Sequence, residues 1–259
     1  MACINFVRMK LCLLILSLLC GRATDILDVA KTYLDTPYVA GTLETEGEER
    51  LIINERGVDC TTFVELTVAR WLAMQSDSLT FEEQVQQLRY RNGVVDGYLS
   101  RLHYFTDWVA QNSHRGIWHE LTPNNESTLW HADTLTLNFM SQHPQSYPYL
   151  KAHAWAVDSM RTIEHTYAHY PTYYISKEHL ALSPEELPIR AGDIIALVTT
   201  IEGLDVTHLG FAVWRADTLH LMHASMKHGR VVIDEQPLYE YLKGRKSCPG
   251  VRVVRLHGK

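Results

Sequence analysis

The stretch "VTHLGFAVWRADTLHLMHAS", Val206 to Ser225, decides the fold. Two β-rich runs flank a turn at Ala216–Asp217, so it reads as an antiparallel hairpin. An even-length turn sets His208 opposite Ser225 and Gly210 opposite His223, which places both imidazoles on one face as diagonal neighbours. An odd turn would send His223 to the other face. Gly210 and Ala212 share that face with His208, and their small size leaves room for another element, such as a helix headed by Cys60, to approach.

Working outward, "GDIIALVTT", "RVVIDE" and "GVRVVRL" are further short β-rich runs separated by turn residues, as in an antiparallel sheet. Upstream the pattern is helical. "TDILDVAKTYLDTPY" reads as a short helix ended by Pro37, and Asp59 to about Met74 is apolar on nearly every face, as in a central buried helix. Asp59 is the expected N-cap of that helix. Residues from about 76 to 186 are rich in His, Tyr and Trp and are expected to be mostly helical. Helices followed by strands predict an α+β fold, built as one domain over 24–259.

The N-terminus has the pattern of a signal peptide over residues 1–23. Arg8 and Lys10 precede the apolar run "LCLLILSLL", and "GRA" supplies small residues for cleavage. The expected destination is the periplasm, and a lipid anchor at Cys20 is the alternative. The remaining chain holds no apolar run long enough for a transmembrane anchor. The full sequence's formal net charge of -6, with no basic cluster beyond the first ten residues, argues against a nucleic-acid partner. Oligomeric state is not legible.

Removal of the leader leaves Cys60 and Cys248. An exported chain can pair two such cysteines, which is the structural reading of Cys60. Its context favours chemistry. "GVDCTTFVEL" sets Cys60 at a helix start, where the positive end of the macrodipole favours thiolate. His208 is the candidate base and His223 the residue that orients it, the division of labour of a nucleophile–base–orienter triad.

"VDCTTFVE", "THLGFAV" and "LMHAS" resemble the three catalytic blocks of NlpC-type papain-fold cell-wall peptidases. "DTPYVAGTLE" resembles that superfamily's Thr-Pro-Tyr segment, and "IRAGDIIAL" its Pro-Gly-Asp strand. The resemblance implies a papain-like fold with a helical insertion, Cys60 as nucleophile, His208 as base and His223 as third member. Tyr38 would stand near the oxyanion. Cys-Thr-Thr replaces the usual Cys-Ser-Gly, and the cysteine lies about a hundred residues farther than usual from His208. Together with "GTLE" and "SRLHYFTDW", these features are similar to the N-acetylmuramoyl-L-alanine amidase-like branch. The resemblance implies a cut between the amino sugar's lactyl group and the first stem-peptide residue, by a covalent mechanism expected to need no metal or organic cofactor. The implied partners are peptidoglycan fragments (muropeptides). A D,L-endopeptidase acting within the stem peptide and a non-catalytic binder of wall fragments are the alternatives.

A substrate that is half sugar and half peptide needs stacking surfaces and hydrogen-bond donors. Arg101, Tyr104 and Trp108, expected on one helical stripe, are candidates with His103, and Asp59 and Thr61 flank the thiol. "HTYAH" places His165 and His169 at a spacing that suits zinc, but the general-base Glu of a metallopeptidase is missing and no third ligand is evident. "NES" at Asn125 matches a glycosylation sequon by pattern alone.

Overall fold

The computed structural model describes residues 25–44, 47–76, 78–123 and 127–258; the expected leader, Cys20 and Asn125 lie outside them. Helix α1 (Ile26–Lys31) opens with the Asp25 carboxylate accepting from Leu27 N–H. Helix α2 (Cys60–Gln75) is capped twice. The Asp59 carboxylate accepts from Thr62 N–H, and the Thr62 hydroxyl receives Asp59 N–H. Such reciprocal capping fixes where a helix starts, and so places Cys60 as its first residue. Phe63, Val64, Leu66, Val68 and Trp71 are all buried, so α2 is central, as its sequence predicts.

Helices α3 (Phe81–Arg89), α4 (Phe105–His114), α5 (Phe139–Gln142), α6 (Pro148–Ala152) and α7 (Ala154–His165) fill the middle of the chain. The same segment also holds three strands the sequence did not announce: β1 (Trp118–Glu120), β2 (Trp130–Leu135) and β3 (Tyr170–Ser176). They join β4 (Ile194–Val198), β5 (Val206–Arg215), β6 (Thr218–Ser225), β7 (Arg230–Ile233) and β8 (Gly250–Leu256) in an eight-stranded sheet. Its order is β2-β3-β8-β4-β5-β6-β7, with β1 on β8, and every pairing is antiparallel. The result is a mixed α+β architecture on an open antiparallel sheet. Helix α8 (Leu238–Lys243) packs beside the C-terminal strands.

The hairpin register is the expected one. Phe211 pairs with Met222, Ala212 with Leu221 and Arg215 with Thr218, around a two-residue turn in which Ala216 takes φ 48°. The two faces of the sheet are covered differently. Leu209, Phe211, Met222 and Ala224 pack with α1 and α2, and Phe63 meets Phe211 edge-on at 5.6 Å. Ala212, Leu221 and Val253 pack with Leu238 and Leu242 of α8. Strict alternation along a strand explains the split.

One expectation fails here. Gly210 and Ala212 do not make room for the Cys60 helix, which covers the opposite face. A Cβ on Gly210 would lie 2.6 Å from Met222 O and 3.0 Å from His223 Cβ, so the glycine admits the neighbouring strand β6. Among the described residues no helix is long and apolar enough to cross a membrane.

Candidate active site

Cys60 and His208 come together at the margin of the sheet. The pairing of β4 with β5 slips between Leu197 and Val198, a bulge at the start of β5. Bulges bend a strand and re-aim its side chains, and they recur beside reactive sites. Cys60, Thr61, His103, Trp108, Asp205, His208 and Leu209 line one cavity of about 130 Å³.

Both cysteines are free, so the disulfide reading of Cys60 fails. Cys248 is buried and its thiol donates to Gly250 O at 3.4 Å. Cys60 is half-buried as a residue, with protein packed densely around its sulfur. Burial first and the Asp59 carboxylate second push the Cys60 thiol up to about 11, against the backbone N–H of Leu209 and the Thr61 hydroxyl, which favour thiolate. In the resting site desolvation therefore opposes the donors at the helix start.

His208 Nε2 stands 2.6 Å from His223 Nδ1, with the rings perpendicular. Burial, and then the neighbouring ring, hold His208 below the ordinary imidazole range. Burial also lowers His223, opposed by Asp234. His223 Nε2 is buried without a hydrogen-bond partner and faces Asp234 Oδ2, also unpartnered, at 3.6 Å. His228 approaches the same oxygen at 3.8 Å from a more exposed position. Sequence reading missed Asp234. It sits at the end of "RVVIDE", and only strand pairing brings it to His223. Its backbone N–H donates to Leu221 O, and its Oδ1 accepts from Gln236 N–H.

The proximal nitrogens are close enough to share a hydrogen bond. A hydrogen on His223 Nε2 is favoured by the carboxylate it faces. Nδ1 of that ring is then the acceptor for His208 Nε2–H, which leaves His208 Nδ1 unprotonated and able to act as a base.

The remaining candidates separate into two groups. Tyr38 lies near the thiol: burial raises its phenol, followed by the negative charges of Cys60 and Asp59, so it stays a hydrogen-bond donor. Thr61 is exposed at the cavity. Asp59 is committed to capping. His103 lines the cavity while its Nε2 contacts Tyr98 O at 2.9 Å, and burial pushes its imidazole down to about 3. Trp108 lines the cavity too, and its buried indole N–H has no partner.

Tyr104 also borders the cavity, but its hydroxyl donates to Glu164 and receives Met140 N–H. Arg101 faces away, paired with Glu44 at 2.9 Å and Glu49 at 3.3 Å. The expected stripe of Arg101, Tyr104 and Trp108 does not exist, since the helix begins only at Phe105. Arg101 instead bridges to Tyr90, and residues before the helix form a turn at Tyr98–Ser100. The helix start is set from a distance: Asp205 Oδ2 accepts Thr106 N–H at 2.7 Å. His165 ends α7 and His169 turns at φ 58°, so they do not share a helical face. Among the described residues no cluster of three or more His, Cys, Asp or Glu is arranged to hold a metal.

Solved structures resemble the whole molecule. An N-acetylmuramoyl-L-alanine amidase from Bacteroides uniformis matches with a TM-score of 0.84 and 39% identity, over 91% of this chain and 99% of that one. A Bacteroides fragilis chain named as a candidate xylanase matches with a TM-score of 0.80 and 41% identity, over 89% of this chain and 100% of that one. A Legionella pneumophila protein shares the fold at 21% identity, with a TM-score of 0.68 over 91% of this chain and 89% of its own. No curated protein matches the chain significantly. The model of the AmiA-like family, N-acetylmuramoyl-L-alanine amidase-like, matches residues 28–251, and the protein belongs to that family.

Proposed function

We propose that the protein is a cysteine hydrolase of muropeptides that cleaves the amide between N-acetylmuramic acid and L-alanine. Its catalytic domain would span 24–259 on a papain-like scaffold of NlpC type, with the segment at about 76–186 as the insertion that roofs the cleft. The observation that carries this reading is one cavity holding the head of a capped helix, its thiol and a base already oriented by a second ring.

His208 Nδ1 takes the thiol proton as Cys60 Sγ attacks the lactyl carbonyl. Charge separates during attack, because the resting thiol is held up and the resting imidazole down. The oxyanion develops at the N-terminus of α2, where first-turn N–H groups and the Tyr38 hydroxyl offer donors. His208 then protonates the departing alanine amine. A water attacks the thioester, gives its proton to His208, and frees the sugar acid with the thiol restored. Asp234 holds the tautomer of His223 and, through it, that of His208.

Glycosidic cleavage, the activity in the Bacteroides fragilis neighbour's name, uses two facing carboxylates. The cavity is lined by one, Asp205, and both of its oxygens accept backbone N–H groups. The expected export to the periplasm belongs to the same proposal and is checked by fractionation of cells that express the full chain.

Mass analysis of a defined muropeptide after digestion tests the bond cleaved. The proposal expects intact stem peptide and a sugar free of peptide. Fragments cut within the stem peptide would make the protein an endopeptidase, and binding without turnover would make it a wall-fragment receptor.

A further inference from the structure

The largest cavity among those described is not the one that holds the thiol. It measures about 430 Å³ and is lined by Leu43, Glu44, Glu49, Tyr98, Arg101 and Tyr149, among others. The two cavities share a wall. Tyr98 packs against His103 with ring centroids 4.3 Å apart and the planes tilted by 37°; Tyr98 borders the larger space and His103 the thiol cavity.

Three observations define what this space would take. Two carboxylates, Glu44 and Glu49, pair with a single guanidinium, Arg101. The nearby Arg89 does not cancel the excess, because it is bound to buried Glu65 at 2.9 Å. The Tyr98 hydroxyl is a buried polar group with no hydrogen-bond partner, in a residue only 3% exposed. Native proteins rarely leave such an atom unsatisfied. Finally, Tyr98 and Tyr149 stack at 4.3 Å with 7° between their planes, an aromatic wall beside the two carboxylates.

We propose that this cavity is a subsite for a primary ammonium on the peptide part of the substrate, its three N–H donors met by Glu44, Glu49 and the Tyr98 hydroxyl. An ammonium has three donors and no acceptor, which matches the three acceptors and the missing positive charge. A carboxylate or phosphate would meet the wrong sign. The inference rests on the muropeptide reading and adds which feature of the peptide is recognised.

The test uses two muropeptides alike in sugar and peptide, one with the free side-chain amine of a diamino residue in the stem and one with that amine N-acetylated. Binding of each to the Cys60→Ala protein is measured by titration calorimetry, and turnover of each by the wild type. Acetylation is expected to weaken binding and raise KM about tenfold while kcat holds. Glu44→Gln, which leaves Arg101 its Glu49 partner, is expected to erase the difference, and Tyr98→Phe to reduce it. Equal affinity for the two forms, or no binding of either, overturns the subsite. Binding that distinguishes the two forms while the wild type turns over neither would overturn the amidase reading and leave the subsite standing.

Discussion

At the scale of single residues, the proposed chemistry turns on which atom carries each proton. His223 Nε2 and Asp234 Oδ2 are both buried and 3.6 Å apart. A carboxylate there selects the Nε2–H tautomer, and the 2.6 Å contact passes that choice to His208. An amide in place of Asp234 offers the ring a donor as well as an acceptor and permits the wrong tautomer. Asp234→Asn is therefore expected to lower kcat roughly tenfold to a hundredfold, the effect of losing a carboxylate's attraction for the ring's N–H in a buried site. Steady-state kinetics with an unchanged melting temperature would check it, and an unaltered kcat would remove Asp234 from the mechanism. Cys60, His208 and His223 were legible because each lies in a local pattern: a helix start, a strand beginning, a hairpin register. Asp234 was not, because its meeting with His223 depends on the β6–β7 pairing and on no spacing within either run.

Among the elements, the hairpin is the most demanding. Its register follows from a two-residue turn and from alternation, both readable in advance. The role of Gly210 was misread because a strand pattern does not tell which face a helix will cover. That choice belongs to packing: Leu209 and Phe211 are the larger residues, and α2 buries them. With Met222 O only 2.6 Å from where its Cβ would sit, Gly210→Ala is expected to cost roughly 2 kcal/mol, since backbone cannot move aside as a side chain does. Chemical denaturation would read the loss, and an unchanged midpoint would mean that β6 yields at no cost. The start of α4 was misplaced for a related reason. The apolar spacing continues through Arg101 to Tyr104, but Asp205 caps Thr106 from a remote loop and no sequence-local signal marks the boundary.

For the whole molecule, three histidines shielded from water shape the response to acid: His223 fully buried, His103 and His208 partly so. His103, His208 and His223 are each held below the ordinary value of 6.5, in every case first by burial. The unfolded chain then binds protons that the folded one refuses. Their contribution to stability is complete above pH 6.5 and is lost as pH falls below it. For His103, held at about 3, the loss between pH 7 and pH 5 is roughly 2 kcal/mol. Glu49 and Glu65, raised by burial, act in the opposite direction, so the clean comparison is with His103→Gln. Wild type is expected to lose more melting temperature than that variant between those two pH values; parallel profiles would contradict the assignment of a neutral buried ring.

The α+β class and the antiparallel sheet were legible in the chain as a whole, because its strand runs are separated by clear turn residues. Strands β1, β2 and β3 were not: β1 is short, β2 is largely exposed, and all three lie in a region dominated by helical spacing.

The most direct measurement is the rate at which Cys60→Ala releases stem peptide from a defined muropeptide, set beside the wild-type rate under the same conditions. A thiol nucleophile at Cys60 predicts a loss of at least about a thousandfold with the fold intact. Release at an undiminished rate would contradict it.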